Sequence, residues 1–232
     1  MHPYEPSPAL VQRVVQRRGR LHAFESIDAA RCALLVVDMQ NSFVEKGAGH
    51  AWVPGAAPTC GVINALAGAL RDAGGTVVWV LNTFTDESVQ SWSHFHQDLS
   101  TPAGFAVRSK AMRAGAHGHA LYADLHPHPQ DLQVPKTRYS AFIQGASDLH
   151  AQLQSRGVDT VLVVGTATNV CCECTARDAM MLNYRTVMVS DGCSAFTEQE
   201  HAASLDSFLL SFGDVQTSAE VIVALRPAPA AA

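Results

Sequence analysis

The stretch DTVLVVGTATNVCCECTARDAMML, residues 159–182, places a thiol where acyl-transfer chemistry is favoured. Residues 160–164 are apolar and rich in valine, long enough for a buried parallel strand, and Gly165 ends the run. Thr166, Ala167, Thr168 and Asn169 form a polar turn, with Thr168 or Asn169 as N-cap of a helix that carries Cys171, Thr175, Asp178 and Leu182 near one face. Cys171 then sits in the first helical turn, where unpaired N–H groups and the helix dipole favour negative charge. Its thiol is expected to ionise more easily than a free one. Asp38 can accept the thiol proton, and Lys136 can hold both groups and stabilise their anionic forms. Backbone N–H groups near Ala167 and Cys171 can form an oxyanion hole. Taken singly, each side chain also has an ordinary reading: Asp38 as a loop cap, Lys136 as a surface charge, Cys171 as a small core residue.

The elements that must position these groups follow from the pattern of apolar runs. Residues 33–39 (ALLVVDM) read as a strand that is apolar until Asp38. Pro58 opens a helix with Val62, Leu66 and Leu70 at four-residue spacing, stopped by Gly74 and Gly75. Residues 76–81 form a strand ending at Asn82, and residues 131–134 a short strand leading to Lys136. Residues 147–154 read as a helix and 186–189 as a strand closed by Ser190, Asp191 and Gly192. Thr197 caps a helix through Phe212, before a short strand at 214–217 and a helix at 218–225. Alternating strands and helices predict right-handed crossovers and a parallel sheet covered on both faces. In such sheets ligands bind outside the C-terminal strand ends, where Asp38, Asn82, Lys136 and Cys171 all fall.

Composition narrows the class. The chain has 232 residues, 47% of them hydrophobic, enough for one α/β domain over 29–226. Residues 1–28 read as an N-terminal arm with a short helix around 9–18, a solvated extension that packs on a neighbouring subunit, and 227–232 as a disordered Pro/Ala tail. A net charge of −5 gives no reason to expect nucleic acid, and no apolar run is long enough for a membrane span. No apolar stretch follows Arg13, Arg17, Arg18 and Arg20, so the N-terminus does not read as a secretory signal. Six cysteines, three of them crowded at Cys171, Cys172 and Cys174, fit a reducing cytoplasm rather than a disulfide framework.

The local texts VVDMQNSF around Asp38, PKTRYSAF around Lys136 and GTATNVCCECTARDA around Cys171 resemble the isochorismatase-like cysteine hydrolases, from about Cys32 to about Phe212. The resemblance implies a three-layer α/β/α fold with a six-stranded parallel sheet. It implies a catalytic triad of Asp38, Lys136 and Cys171, an oxyanion hole from Ala167 and Cys171, and a cis peptide at Thr166–Ala167. It also implies a homo-oligomer, a dimer or tetramer. The YSAF text, TNVC and Asn82 look most like the ureidoacrylate amidohydrolase and N-carbamoylsarcosine amidase branch. The Asp-x-His metal motif of nicotinamidases is absent from the text after Asn82, so no metal and no cofactor are expected. The activity implied is cysteine-dependent hydrolysis of a C–N bond in a small linear amide or ureide, through a thioester on Cys171.

Among other features, Asn82, Tyr139 and Phe43 are expected to touch substrate, with His94 or His96 as further candidates. Trp52, Trp92 and Phe142 are candidates for an apolar pocket wall. The segment 83–129 is expected to hold short helices and to line the site. Arg177 and Asp178 read as a structural ion pair, and Cys172 and Cys174 as packing residues. Two other functions stay open: a redox pair from the CxxC of Cys171 and Cys174, and a non-catalytic interaction protein that keeps the fold.

Overall fold

The apolar runs become the strands of one parallel sheet. The computed structural model describes residues 2–226. In chain order the strands are β1 (Ile27–Asp28), β2 (Cys32–Val37), β3 (Thr76–Asn82), β4 (Leu132–Lys136), β5 (Thr160–Thr166), β6 (Arg185–Ser194), β7 (Asp214–Gln216) and β8 (Leu225–Arg226). The main sheet has the order β4-β3-β2-β5-β6-β7, all parallel, while β1 and β8 form a separate two-stranded parallel pair. The order reverses between β2 and β5, the switch point at which a doubly wound sheet opens a crevice. Central strands β2 and β5 are buried along their whole length, which explains their unbroken apolar character.

The helices are α1 (Pro8–Arg18), α2 (Asn41–Val44), α3 (Cys60–Asp72), α4 (Asp86–Ser91), α5 (Ser93–Asp98), α6 (Pro102–Ala111), α7 (Leu149–Ser155), α8 (Glu173–Met181), α9 (Glu198–Ser211) and α10 (Ser218–Ala224). Two apolar clusters lie on the two faces of the sheet. One joins Leu34, Val36 and Trp79 to α3 residues Ile63, Leu66 and Leu70. The other joins Leu35, Val37 and Val163 to Leu149, Ala176 and Phe208. This is a three-layer α/β/α arrangement.

Three expectations need correction. Residues 2–28 are not a solvated extension: Leu10 and Val14 are buried in this chain's own core, and Tyr4 donates to Asp206 at 3.0 Å. Arg18 pairs with the fully buried Asp214, which also accepts from the Ala23 and Phe24 N–H groups. Strand β6 does not stop at Ser190–Gly192. A register shift opposite Val163 and Gly165 absorbs those residues, and pairing resumes at Gly165–Cys193 and Thr166–Ser194. Arg177 pairs with Glu173, one helical turn back, rather than with its neighbour Asp178, since adjacent helical residues do not face each other. The segment 227–232 lies outside the described residues.

Candidate active site

Asp38 follows β2 directly and has φ +54°, a left-handed conformation that Asp tolerates better than most side chains. Its N–H donates to the carbonyl of Val80 in β3 at 2.9 Å, which ties it to the neighbouring strand. Lys136 is the last residue of β4, paired in register with Asn82 of β3. Its Nζ donates to Asp38 Oδ2 at 2.8 Å and to the Arg138 carbonyl at 3.0 Å, and neither the Asp38 nor the Lys136 side chain reaches solvent. Asp38 Oδ1 is buried without a hydrogen-bond partner, so it stays available as a proton acceptor. The Cys171 thiol lies close enough that all three groups shift one another's titration.

The turn carrying Cys171 is held from several sides. Gly165 has φ +114°, and a Cβ there would meet the Val37 carbonyl oxygen at 2.1 Å, so only glycine lets β5 pass so close to β2. The Thr166–Ala167 peptide is cis. The Thr166 hydroxyl donates to the Ser194 carbonyl at 3.2 Å. The Ala167 carbonyl accepts from Val170 and Cys172, while the Ala167 N–H makes no hydrogen bond to another described residue. That leaves a donor beside the thiol.

Cys171 does not sit in an ordinary first helical turn. Residues Thr168–Cys172 form a π-helical turn that runs into α8 at Glu173. Neither proposed cap is made. Thr168 Oγ1 instead shares a hydrogen bond with His201 Nδ1 of α9 at 2.8 Å, and Asn169 Oδ1 is buried without a partner.

The surroundings of the thiol work against the expectation of easy ionisation. Burial pushes the Cys171 thiol well above the ordinary value, and the Asp38 charge adds to this against the pull of Lys136. Burial likewise raises Asp38 above the usual carboxylate range, opposed by Lys136 and the thiol. Burial alone would lower Lys136, but Asp38 and Cys171 outweigh it, and its ammonium is held above the ordinary value. These directions, with the 2.8 Å contact between Lys136 and Asp38, favour a neutral thiol beside a buried ion pair.

Against Cys171 lies a cavity of about 190 Å³ whose lining also includes Ala167, Asn82, Tyr139 and Phe43. Asn82 Oδ1 is buried without a partner, and its backbone is clamped by Gln40, which accepts from the Asn82 N–H and donates to its carbonyl. Tyr139 meets Trp92 and Phe95 edge-on, with ring centroids 5.1 and 5.3 Å apart. Trp92 belongs to the wall; Trp52 and Phe142 do not. Trp52 is half exposed under Lys46, and Phe142 packs on Tyr184. His94 is exposed and pairs with Asp98. His96 is buried behind the wall against Phe84 and Phe105.

Sequence reasoning missed Gln40, His50, Phe84, Phe95, Arg108 and Phe196. Of these only Gln40, inside the DMQNSF text, carried a local signal; the others come from loops and short helices whose packing the pattern does not encode. Among the described residues no three His, Cys, Asp or Glu side chains are grouped to hold a metal ion, and no helix is long and apolar enough to cross a membrane.

Comparison with known proteins agrees with this geometry. The isochorismatase domain family matches residues 32–220. The ureidoacrylate amidohydrolase RutB of Variovorax paradoxus is 32% identical over 221 residues, covering 88% of this chain and 85% of that protein. The crystal structure of an isochorismatase family protein from Desulfovibrio vulgaris superposes with a TM-score of 0.71 at 31% identity, over 82% of this chain and 96% of that one. That of N-carbamoylsarcosine amidase from Thermoplasma acidophilum gives 0.63 at 26% identity, over 81% and 96%. By fold, by motif and by these likenesses, the chain belongs to the isochorismatase-like cysteine hydrolase family.

Proposed function

We propose that this protein hydrolyses a C–N bond of a small linear amide or ureide through a Cys171 thioester. The observation that carries the reading is the buried Asp38–Lys136 pair, with one carboxylate oxygen unpartnered, beside a cysteine on the wall of an apolar cavity. The amidohydrolase and amidase named among the similar proteins support the substrate class.

In the first half-reaction Asp38 takes the Cys171 proton as the sulfur attacks the carbonyl carbon. The oxyanion is held by the N–H groups of Ala167 and Cys171. The intermediate collapses, the C–N bond breaks, and the proton on Asp38 passes to the leaving nitrogen. A thioester remains. Water then loses a proton to Asp38 and attacks the thioester, and the expelled sulfur recovers that proton. A ureide yields a carbamic acid, which breaks down to carbon dioxide and ammonia or amine. Lys136 stays cationic throughout and keeps the carboxylate aligned, while Asn82 hydrogen-bonds the amide or ureide.

The test is ammonia release from ureides, N-carbamoyl amino acids and primary amides, with wild type beside Cys171→Ala. Release by wild type alone, together with an acyl adduct on Cys171 in mass spectra of quenched turnover, supports the reading. Silence across the panel, with no adduct, would move the assignment to a binding role.

A further inference from the structure

Arg108 of α6 is the one permanently charged side chain on the lining of the Cys171 cavity. The other basic group there, His50, is solvent-exposed and is an imidazole rather than a permanent charge. Among the described residues Arg108 has no carboxylate partner. Its guanidinium is nonetheless fixed. It lies over the Phe95 ring at 4.5 Å, and Nη2 donates to Ser100 Oγ at 2.6 Å and contacts His96 Nδ1 at 3.4 Å. Nε is buried with no acceptor, and Nη1 makes no hydrogen bond to a described residue. A donor withdrawn from water without an acceptor is costly, and a guanidinium presents its N–H groups in the fork that a carboxylate fits. Arg138, which lies over Trp92, differs: its Nη1 and Nη2 are taken by the Thr137 carbonyl and Ser91 Oγ, and it is not on the lining.

We propose that Arg108 binds a carboxylate of the substrate, so that the site selects amides or ureides carrying one carboxylate on an apolar body. The inference rests on the hydrolase reading of the same cavity. The aromatic wall of Phe43, Phe84, Phe95 and Phe196 fits the apolar body, Arg108 sets one end of it, and the C–N bond is presented to Cys171 at the other. Arg108 is then a specificity-determining residue that senses a charge away from the reacting atoms.

Binding and turnover are tested separately. Calorimetry on the Cys171→Ala protein compares N-carbamoyl derivatives of alanine, leucine and phenylalanine with the alkylureas that lack only their carboxylate. At least one acid is expected to bind about 10- to 100-fold more tightly than its urea, the range of a charge-assisted hydrogen-bonded pair. Arg108→Gln removes that preference, whereas Arg138→Gln preserves it. Equal binding of acid and urea, binding of neither, or a preference that survives Arg108→Gln overturns the inference. Ammonia release by wild type reports on the hydrolase reading alone: an Arg108-dependent carboxylate preference without turnover of any ligand refutes hydrolysis and keeps the carboxylate site.

Discussion

Lys136 Nζ donates to Asp38 Oδ2 at 2.8 Å in a place that solvent reaches on neither side chain. Ninety-eight residues apart in sequence, the two groups meet because Asp38 closes β2 and Lys136 closes β4, with Asn82 of β3 between them. Two charges so placed are costly to desolvate, and their mutual attraction repays that cost only while both are present.

Removing one partner should therefore hurt stability more than removing both. Lys136→Met leaves a buried carboxylate uncompensated and is expected to cost about 3–5 kcal/mol. The double variant Asp38→Asn, Lys136→Met should recover much of that loss while staying inactive. Urea unfolding at pH 7 measures both. A single variant as stable as wild type would mean that the pair is solvated in solution.

The thiol makes a second prediction, opposite in sign to the sequence expectation. Because burial and the Asp38 charge hold Cys171 well above the ordinary value, little free thiolate exists at pH 7. Alkylation of Cys171 by iodoacetamide, followed by peptide mass spectrometry, should be slow at pH 7 and accelerate toward and beyond pH 9. Hydrolysis needs Asp38 ionised, and burial raises that carboxylate. The acid limb of kcat/KM should accordingly lie above the ordinary Asp range, with activity falling as pH drops through it. Fast alkylation at pH 7 would instead identify a resting thiolate.

These two cases mark what the sequence makes legible. The strands β2, β3 and β5 are readable because strands buried on both faces must be uninterrupted apolar runs. The motif texts around Asp38, Lys136 and Cys171 are readable because the chain fixes them locally at strand ends. The direction of the Cys171 shift is not, because it depends on how deeply the surrounding elements bury the thiol. The π-helical turn has no local signal either, since Thr168 forgoes its cap for His201, thirty-three residues away. Arg108 lies in a helix with no buried residue of its own, so no apolar period marks the face it turns to the cavity.

Gly165 offers a test of the turn itself. With φ +114° and the Val37 carbonyl oxygen 2.1 Å from any added Cβ, Gly165→Ala cannot be accommodated without parting β5 from β2 at the nucleophile. The expected result is a variant that unfolds at least several degrees lower or fails to accumulate, and that has lost activity where it folds. Gly145→Ala is the control: its φ is also positive, at +78°, but nothing lies within 4 Å of the added methyl. It should lose only about 1 kcal/mol, the backbone penalty alone. Equal thermal shifts in the two variants would remove the close approach as the reason for glycine at 165.

His201 makes the stability of the nucleophile turn depend on pH. The ring is buried against Thr168, His2 and Tyr4, and burial, with His2 adding to it, lowers its value from 6.5 to about 4. Between those values the unfolded chain binds a proton that the folded chain does not, so folding stability falls as pH drops from about 6.5 toward 4. The loss is on the order of 2 kcal/mol from this group. His201→Asn should cost about 1 kcal/mol at pH 7 through the Thr168 hydrogen bond and should flatten the decline between pH 7 and pH 4.5. Urea midpoints at the two pH values, in wild type and variant, give the difference directly, and because other groups titrate alike in both, it isolates His201. A variant that loses stability with acid as steeply as wild type would show that His201 is protonated in the folded chain, with Thr168 held by an imidazolium.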